Sequence, residues 1–216
     1  TQWWANQDVI QVSMDNRASG HCGKEGLNFL YRNFWSVELS DFEEWMQYFD
    51  SKPYVNADKV GINGFSYGGS MTTLCVTEGC KYFKYGIAGG GVYDYLLYDS
   101  HYTERYMDTP QRNPEGYART KMADRIAKSG YKGDNSNYLM LTHGAADDNV
   151  HVQNTMGLVL DLQNMGKQFD LMIYPGQLHG YHGKQASFSD LSDYNFWYRH
   201  LLDKETPKVL IDALTK

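Results

Sequence analysis

The sequence predicts an α/β fold, a mostly parallel sheet with helices on both faces, and three observations predict it. Short apolar runs alternate with stretches whose apolar positions recur at helical spacing. A glycine-rich serine turn joins one such run to the helical stretch after it. The loops after two later runs carry the acidic residues and a histidine.

Taken in order, Asp8–Met14 (DVIQVSM) reads as a strand, and Ser36–Phe49 as a helix with Phe42, Trp45, Met46 and Phe49 on one face. Lys59–Asn63 is the next strand, Ser70–Thr77 is helical, and Tyr85–Gly89 is a short strand. Glu115–Lys128, with polar and apolar faces, reads as one helix. Tyr138–Thr142 (YLMLT) and Asp170–Tyr174 (DLMIY) are strands separated by a helix over Val152–Met165. A last helix covers Ser192–Leu202, and Thr206–Lys216 packs as a closing segment. Strands separated by helices must run parallel and be covered on both faces. No internal repeat is visible. The chain opens on Thr1-Gln2-Trp3-Trp4 without a helix start signal or an earlier strand, and such sheets commonly carry more than five strands. The expectation is therefore one domain over residues 1–216 whose N-terminal strands lie outside these residues.

Composition narrows the function classes. The 216 residues are 42% hydrophobic and 21% charged, enough for one good core and unlike a disordered or collagenous chain. A net charge of −6 with no Lys/Arg block argues against nucleic acid as a partner. No run of eighteen or more apolar residues occurs, so no membrane contact is expected from this chain. Three cysteines, Cys22, Cys75 and Cys80, are an odd count without CxxC spacing and read as free thiols.

The chemistry gathers on loops that follow strands. Gly64-Phe65-Ser66-Tyr67-Gly68 is a Gly-x-Ser-x-Gly pentapeptide between a strand and a helix, the setting of a nucleophile elbow. A turn this tight requires that Gly64 and Gly68 carry no side chain, and it holds Ser66 exposed and strained at the helix N-terminus. The Tyr67 N–H then faces a developing oxyanion. The alternative is an ordinary glycine-rich turn with a solvent-exposed serine.

Chain order favours the elbow. YLMLT runs into His143-Gly144-Ala145-Ala146-Asp147-Asp148-Asn149, and DLMIY runs into Pro175-Gly176-Gln177-Leu178-His179-Gly180. Serine, then acid, then histidine, each on a loop after a strand, is the order an α/β-hydrolase requires. His179 would take the Ser66 proton as a carbonyl is attacked and return it to the leaving amine, while the carboxylate orients the imidazole. Spacing leaves Asp147 and Asp148 open as the acid, and it leaves His182, His143 and His151 as alternative bases.

GFSYGG, YDSHYTERYM, HGAADDNVHVQ and the late LHG together carry a resemblance over about Asp8 to Lys204. The chain resembles the hydrolase domain of the prolyl oligopeptidase family, in its dipeptidyl peptidase IV-like branch. The resemblance implies Asp147 as the acid. It also implies a flat apolar pocket for proline or alanine walled by Tyr67, Val92, Tyr95, Tyr98, Tyr102 and Val150, with Asn149 bonding a substrate carbonyl. An aromatic box takes a rigid pyrrolidine ring by area burial and rejects longer side chains by shape. The competing reading of each tyrosine is core packing, since the chain holds 18 of them.

The resemblance further implies a peptide substrate, a second oxyanion donor from a tyrosine hydroxyl, and a β-propeller domain that reads the substrate's free amine, both outside these residues. It implies a secreted or periplasmic parent and allows a full-length homodimer. Acylaminoacyl peptidase, prolyl endopeptidase and a silent binding scaffold are the alternatives within the family. Tyr95 and Phe65 stand where relatives have Trp, which points to a mildly relaxed pocket. Gly89-Gly90-Gly91 lacks dinucleotide-loop spacing, and His179 with His182 lacks a third ligand, so neither a cofactor nor a metal is expected.

Overall fold

A computed structural model describes residues 2–216. In chain order its elements are α1 (Gln2–Ala5), α2 (Gly23–Asn28), α3 (Val37–Asp50), β1 (Gly61–Phe65), α4 (Tyr67–Thr77) and β2 (Tyr85–Gly89). There follow α5 (Ser100–Met107), α6 (Pro114–Arg119), α7 (Met122–Ala127), β3 (Tyr138–Gly144), α8 (Gln153–Asn164), β4 (Asp170–Tyr174), α9 (Gly183–Leu202) and α10 (Lys208–Leu214). The four strands form one parallel sheet in the order β1-β2-β3-β4. Phe65 pairs with Gly89, Gly89 with Thr142, and Gly144 with Tyr174, so the loops after all four strands emerge at one end.

The pleat sorts residues to two faces. Ala88, Leu139 and Leu141 belong to the main core, which includes Leu74, Cys75 and Val76 of α4, Ile126 of α7, and Leu158 and Leu162 of α8. Their neighbours Tyr85, Ile87 and Met140 form a smaller core with Phe196 of α9 on the opposite face. Cys75 is fully buried, Cys22 is exposed, and all three cysteines are free. Gly86 lets α4 sit directly on β2, since a Cβ there would lie 2.6 Å from Val76 and 2.9 Å from Thr72.

Several sequence expectations are corrected. Asp8–Met14 forms no strand: the sheet has no ladder for it among the described residues, and Ile10 and Val12 are exposed. The helix expected over Glu115–Lys128 is two helices. The break falls where Lys121 turns extended, bridges to Asp94, and lets Met122 N–H bond the Tyr93 carbonyl at 2.8 Å. The last long helix begins at Gly183 rather than Ser192, because the mostly polar residues of its first turns hide the apolar period. Trp45 does not join the buried face of α3. It stays exposed, stacked on Phe49 at 6.0 Å, with its indole N–H bonded to the Asp15 carbonyl.

β1 runs two residues later than expected and α4 starts three residues earlier, directly after Ser66. β3 extends to Gly144. The opening segment is the short helix α1; Thr1 lies outside the described residues. The closing segment holds α10, which packs on α9 with no buried residue of its own. No helix of the described residues is long and apolar enough to cross a membrane.

Candidate active site

The elbow is built by two close backbone approaches. A Cβ on Gly64 would lie 2.4 Å from the Gly68 carbonyl oxygen, and one on Gly69 would lie 2.4 Å from that of Gly89. Gly68 itself faces open space, so the steric demand falls on Gly64 and Gly69 and not, as expected, on Gly64 and Gly68. Ser66 is pinned between them at φ 62°, ψ −122°, its N–H bonded to Gly89 O at 2.8 Å across the strand gap. A left-handed φ on a residue with a Cβ is strained, and the next strand's carbonyl holds it there. Ser66 O accepts the N–H groups of Gly69 and Ser70, leaving Tyr67 N–H among the first-turn donors that have no intrahelical acceptor.

Ser66 Oγ lies 2.9 Å from His179 Nε2, and His179 Nδ1 lies 2.7 Å from Asp147 Oδ2. Asp147 has a fully buried side chain whose Oδ1 accepts the N–H groups of Asn149 at 3.0 Å and Val150 at 2.9 Å. Those bonds make the buried carboxylate tolerable in its charged form. Since Asp147 accepts at Nδ1, that nitrogen carries hydrogen and Nε2 is free to accept from the serine hydroxyl. Asp148, the alternative acid, is exposed.

The loops bearing Asp147 and His179 are tied together. Ala145 N–H bonds Tyr174 O at 2.9 Å and Ala146 N–H bonds Gln177 O at 3.0 Å. Gly144 permits this: a Cβ there would lie 2.3 Å from Leu178 O and 2.4 Å from Gln177 O. Phe65 sits against the His179 ring with centroids 4.9 Å apart. Of the alternative bases, His151 and His182 are exposed away from the serine hydrogen bond, and His143 is sealed in the core, bonded to Thr155 and Val150.

The residues expected to wall a pocket lie at the start of α4 (Tyr67), on the loop after β2, on α5 and at the Asp147 loop. Ser70 Oγ donates to Val92 O at 2.6 Å and accepts Val92 N–H at 3.0 Å, fastening that loop to α4. An aromatic row runs Tyr67–Phe34–Tyr95–Tyr98–Tyr102–Tyr106, each neighbouring pair of rings 5.0–6.3 Å apart. Tyr98 Oη donates to Asn149 Oδ1 at 2.6 Å. Val92, Tyr95 and Val150 are buried, Tyr67, Tyr98 and Tyr102 half-buried, and Asn149 exposed. Burial drives the phenol pKa of Tyr67 and Tyr95 upward and that of Tyr102 to about 12, so these rings are neutral walls. Among the described residues no group of three His, Cys, Asp or Glu stands close enough to share a metal ion.

Sequence reasoning missed Glu38 and Phe34. Glu38 is buried beneath the row and takes the Tyr67 phenol hydrogen. A carboxylate in the first turn of α3, two residues after Ser36, was the available signal.

A parallel sheet with a serine elbow, and an acid and a histidine on later strand-end loops, defines the class as an α/β-hydrolase domain. The profile of the prolyl oligopeptidase family matches residues 1–205. The chain belongs to that family, as a dipeptidyl peptidase IV-like domain. It is 39% identical over 173 residues to a probable dipeptidyl-aminopeptidase B of Ajellomyces capsulatus, covering 79% of this chain and 18% of that protein. It is 39% identical over 179 residues to a probable dipeptidyl-aminopeptidase B of Uncinocarpus reesii, covering 82% and 19%. The chain thus spans under a fifth of the length of these curated relatives. Among solved structures, Porphyromonas gingivalis dipeptidyl peptidase 4 superposes with a TM-score of 0.79 at 34% identity, covering 87% of this chain and 26% of that one. A putative dipeptidyl aminopeptidase IV of Bacteroides ovatus gives the same TM-score, 0.79, at 31% identity over the same two shares, 87% and 26%.

Proposed function

We propose that this chain carries the catalytic centre of a serine peptidase that releases N-terminal dipeptides with proline or alanine second, with Ser66 as nucleophile, His179 as base and Asp147 as acid. The observation that carries the reading is the continuous hydrogen-bond chain from Ser66 Oγ through His179 to the buried Asp147 carboxylate. It opens beside the aromatic row.

Ser66 Oγ attacks the scissile carbonyl as its proton passes to His179 Nε2, and Asp147 stabilises the resulting imidazolium. The Tyr67 N–H donates to the oxyanion. A donor of this kind contributes about 2.7–4 kcal/mol to the barrier. His179 then protonates the leaving amine, and water repeats the sequence to free the acyl group. Val92, Val150 and the tyrosine rings offer an apolar, shape-selective surface to a small cyclic or methyl side chain. Asn149, held by Tyr98, presents its amide to a substrate carbonyl.

Fluorophosphonate labelling of the full-length protein tests the nucleophile, and release of a chromophore from Gly-Pro and free-alanine conjugates tests the specificity. Labelling lost in Ser66→Ala together with Gly-Pro release supports both parts. Labelling without Gly-Pro release keeps the hydrolase and removes the dipeptidyl specificity. No labelling of the wild type overturns the catalytic reading in favour of a scaffold.

A further inference from the structure

One titratable side chain that the reaction does not use is sealed directly against the acid. His143, the penultimate residue of β3, has no exposed side-chain surface. Its Nε2 lies 2.7 Å from the Val150 carbonyl oxygen and 3.3 Å from Asp147 Oδ2. Its Nδ1 lies 2.7 Å from Thr155 Oγ1 on α8.

These partners assign the protons. A carbonyl and a carboxylate oxygen only accept, so Nε2 carries hydrogen. Burial lowers the His143 pKa and keeps the ring neutral, which leaves Nδ1 as an acceptor for the Thr155 hydroxyl. The single Nε2–H therefore spans the loop. Its shorter contact anchors the Val150 carbonyl, whose own residue's N–H holds Asp147 Oδ1. Its longer contact reaches the same Oδ2 that grips His179.

We propose that His143 is a positioning residue for Asp147: a neutral imidazole, its tautomer set by the Val150 carbonyl and its Nδ1 bonded by Thr155, that fixes the carboxylate and moderates the basicity of Oδ2 toward His179. The proposal rests on the assignment of Ser66, His179 and Asp147 as the reacting chain. A donor withdrawn from Oδ2 leaves a more basic carboxylate. A more basic carboxylate holds the imidazolium that forms on His179 more tightly, so labelling needs a higher pH. A side chain that only fills the core would lower stability without moving the pH dependence of labelling.

The test is the second-order rate of fluorophosphonate labelling against pH in the full-length protein, which requires the triad and no particular peptide specificity. His143→Leu removes the donor, His143→Gln restores an N–H near the Nε2 position, and Thr155→Val removes the hydroxyl that bonds Nδ1 and so strengthens the Nε2–H donor, at almost constant volume. In His143→Leu the rate should fall about 10–100-fold and the acidic limb should move up by about half a pH unit. Gln should recover most of both, and Thr155→Val should shift the limb the same way with a smaller loss. Should the Leu variant fail to fold, Thr155→Val and the Gln variant carry the decision. An acidic limb unmoved in every folded variant overturns the proposal. Labelling that survives in Ser66→Ala instead overturns the triad assignment itself, so the two failures are distinguishable.

Discussion

Glu38 accepts the phenol hydrogen of Tyr67 while its two oxygens also take the backbone N–H groups of Trp35 at 3.2 Å and Ser36 at 2.9 Å. A carboxylate 1% exposed thus ties the start of α3 to the residue that follows Ser66. Losing one partner of a buried charged group leaves its desolvation uncompensated. Tyr67→Phe is therefore expected to destabilise the full-length protein by about 1–3 kcal/mol in chemical denaturation. It should retain fluorophosphonate labelling, because the main-chain N–H is unchanged. Loss of labelling at unchanged stability would contradict this assignment.

The two glycines of the elbow motif should separate. Gly64→Ala drives a methyl group into the Gly68 carbonyl, a backbone atom that cannot swing aside, and should abolish labelling or soluble expression. Gly68→Ala meets nothing outside its own helix and should keep labelling within about tenfold of wild type. Equal damage from the two would show that the elbow is packed differently.

His200 lies between the rings of Tyr85, Tyr138 and Phe196, at 4.9, 5.3 and 4.4 Å. Burial there, with Arg199 nearby, depresses its pKa from 6.5 to about 4. Between those values the unfolded chain binds more protons than the folded one, so stability rises with pH across the window. The contribution is complete above about pH 6.5 and is lost as pH falls toward 4. His200→Phe should flatten the difference in urea-unfolding stability between pH 7.5 and pH 4.5 by roughly 2–3 kcal/mol. A variant with the wild-type pH dependence would remove His200 as its source.

Tyr98→Phe removes the hydroxyl that holds the Asn149 side chain. Because that bond is exposed, stability should change by less than about 1 kcal/mol. Under the proposed substrate assignment, kcat/KM for a Gly-Pro chromogenic substrate should fall several-fold, mainly through KM. An unchanged KM would remove Asn149 from substrate binding.

Much of the fold is legible locally because its signals are local. Tyr85–Gly89 and Asp170–Tyr174 coincide with the observed strands, each a short apolar run set off by polar or glycine residues. Where residues 8–14 carry the same kind of apolar content, no strand forms, since a strand exists only where a neighbour completes its hydrogen bonds. Residues 115–128 read as one helix because nothing in their spacing reveals that Lys121 will be drawn to Asp94, a residue far back in the chain.

The same division runs through the site. Residue type and chain order by themselves determined a serine on a glycine-bounded turn and an acid and a histidine on later strand-end loops, since nucleophile, base and orienting carboxylate are chemically distinct and a parallel sheet delivers such loops to one end. Tertiary structure alone distinguishes the surroundings of Asp147 and Asp148, which differ by one position and are identical in chemistry. One points inward to the N–H groups of Asn149 and Val150 and to His179, and the other faces water. It likewise decided that Gly69 rather than Gly68 must lack a side chain, that Glu38 meets Tyr67 and that His143 meets Asp147. Those are contacts between residues distant in sequence or on opposite sides of a turn, and a hydrogen bond or a steric collision depends on distances that only the folded chain sets.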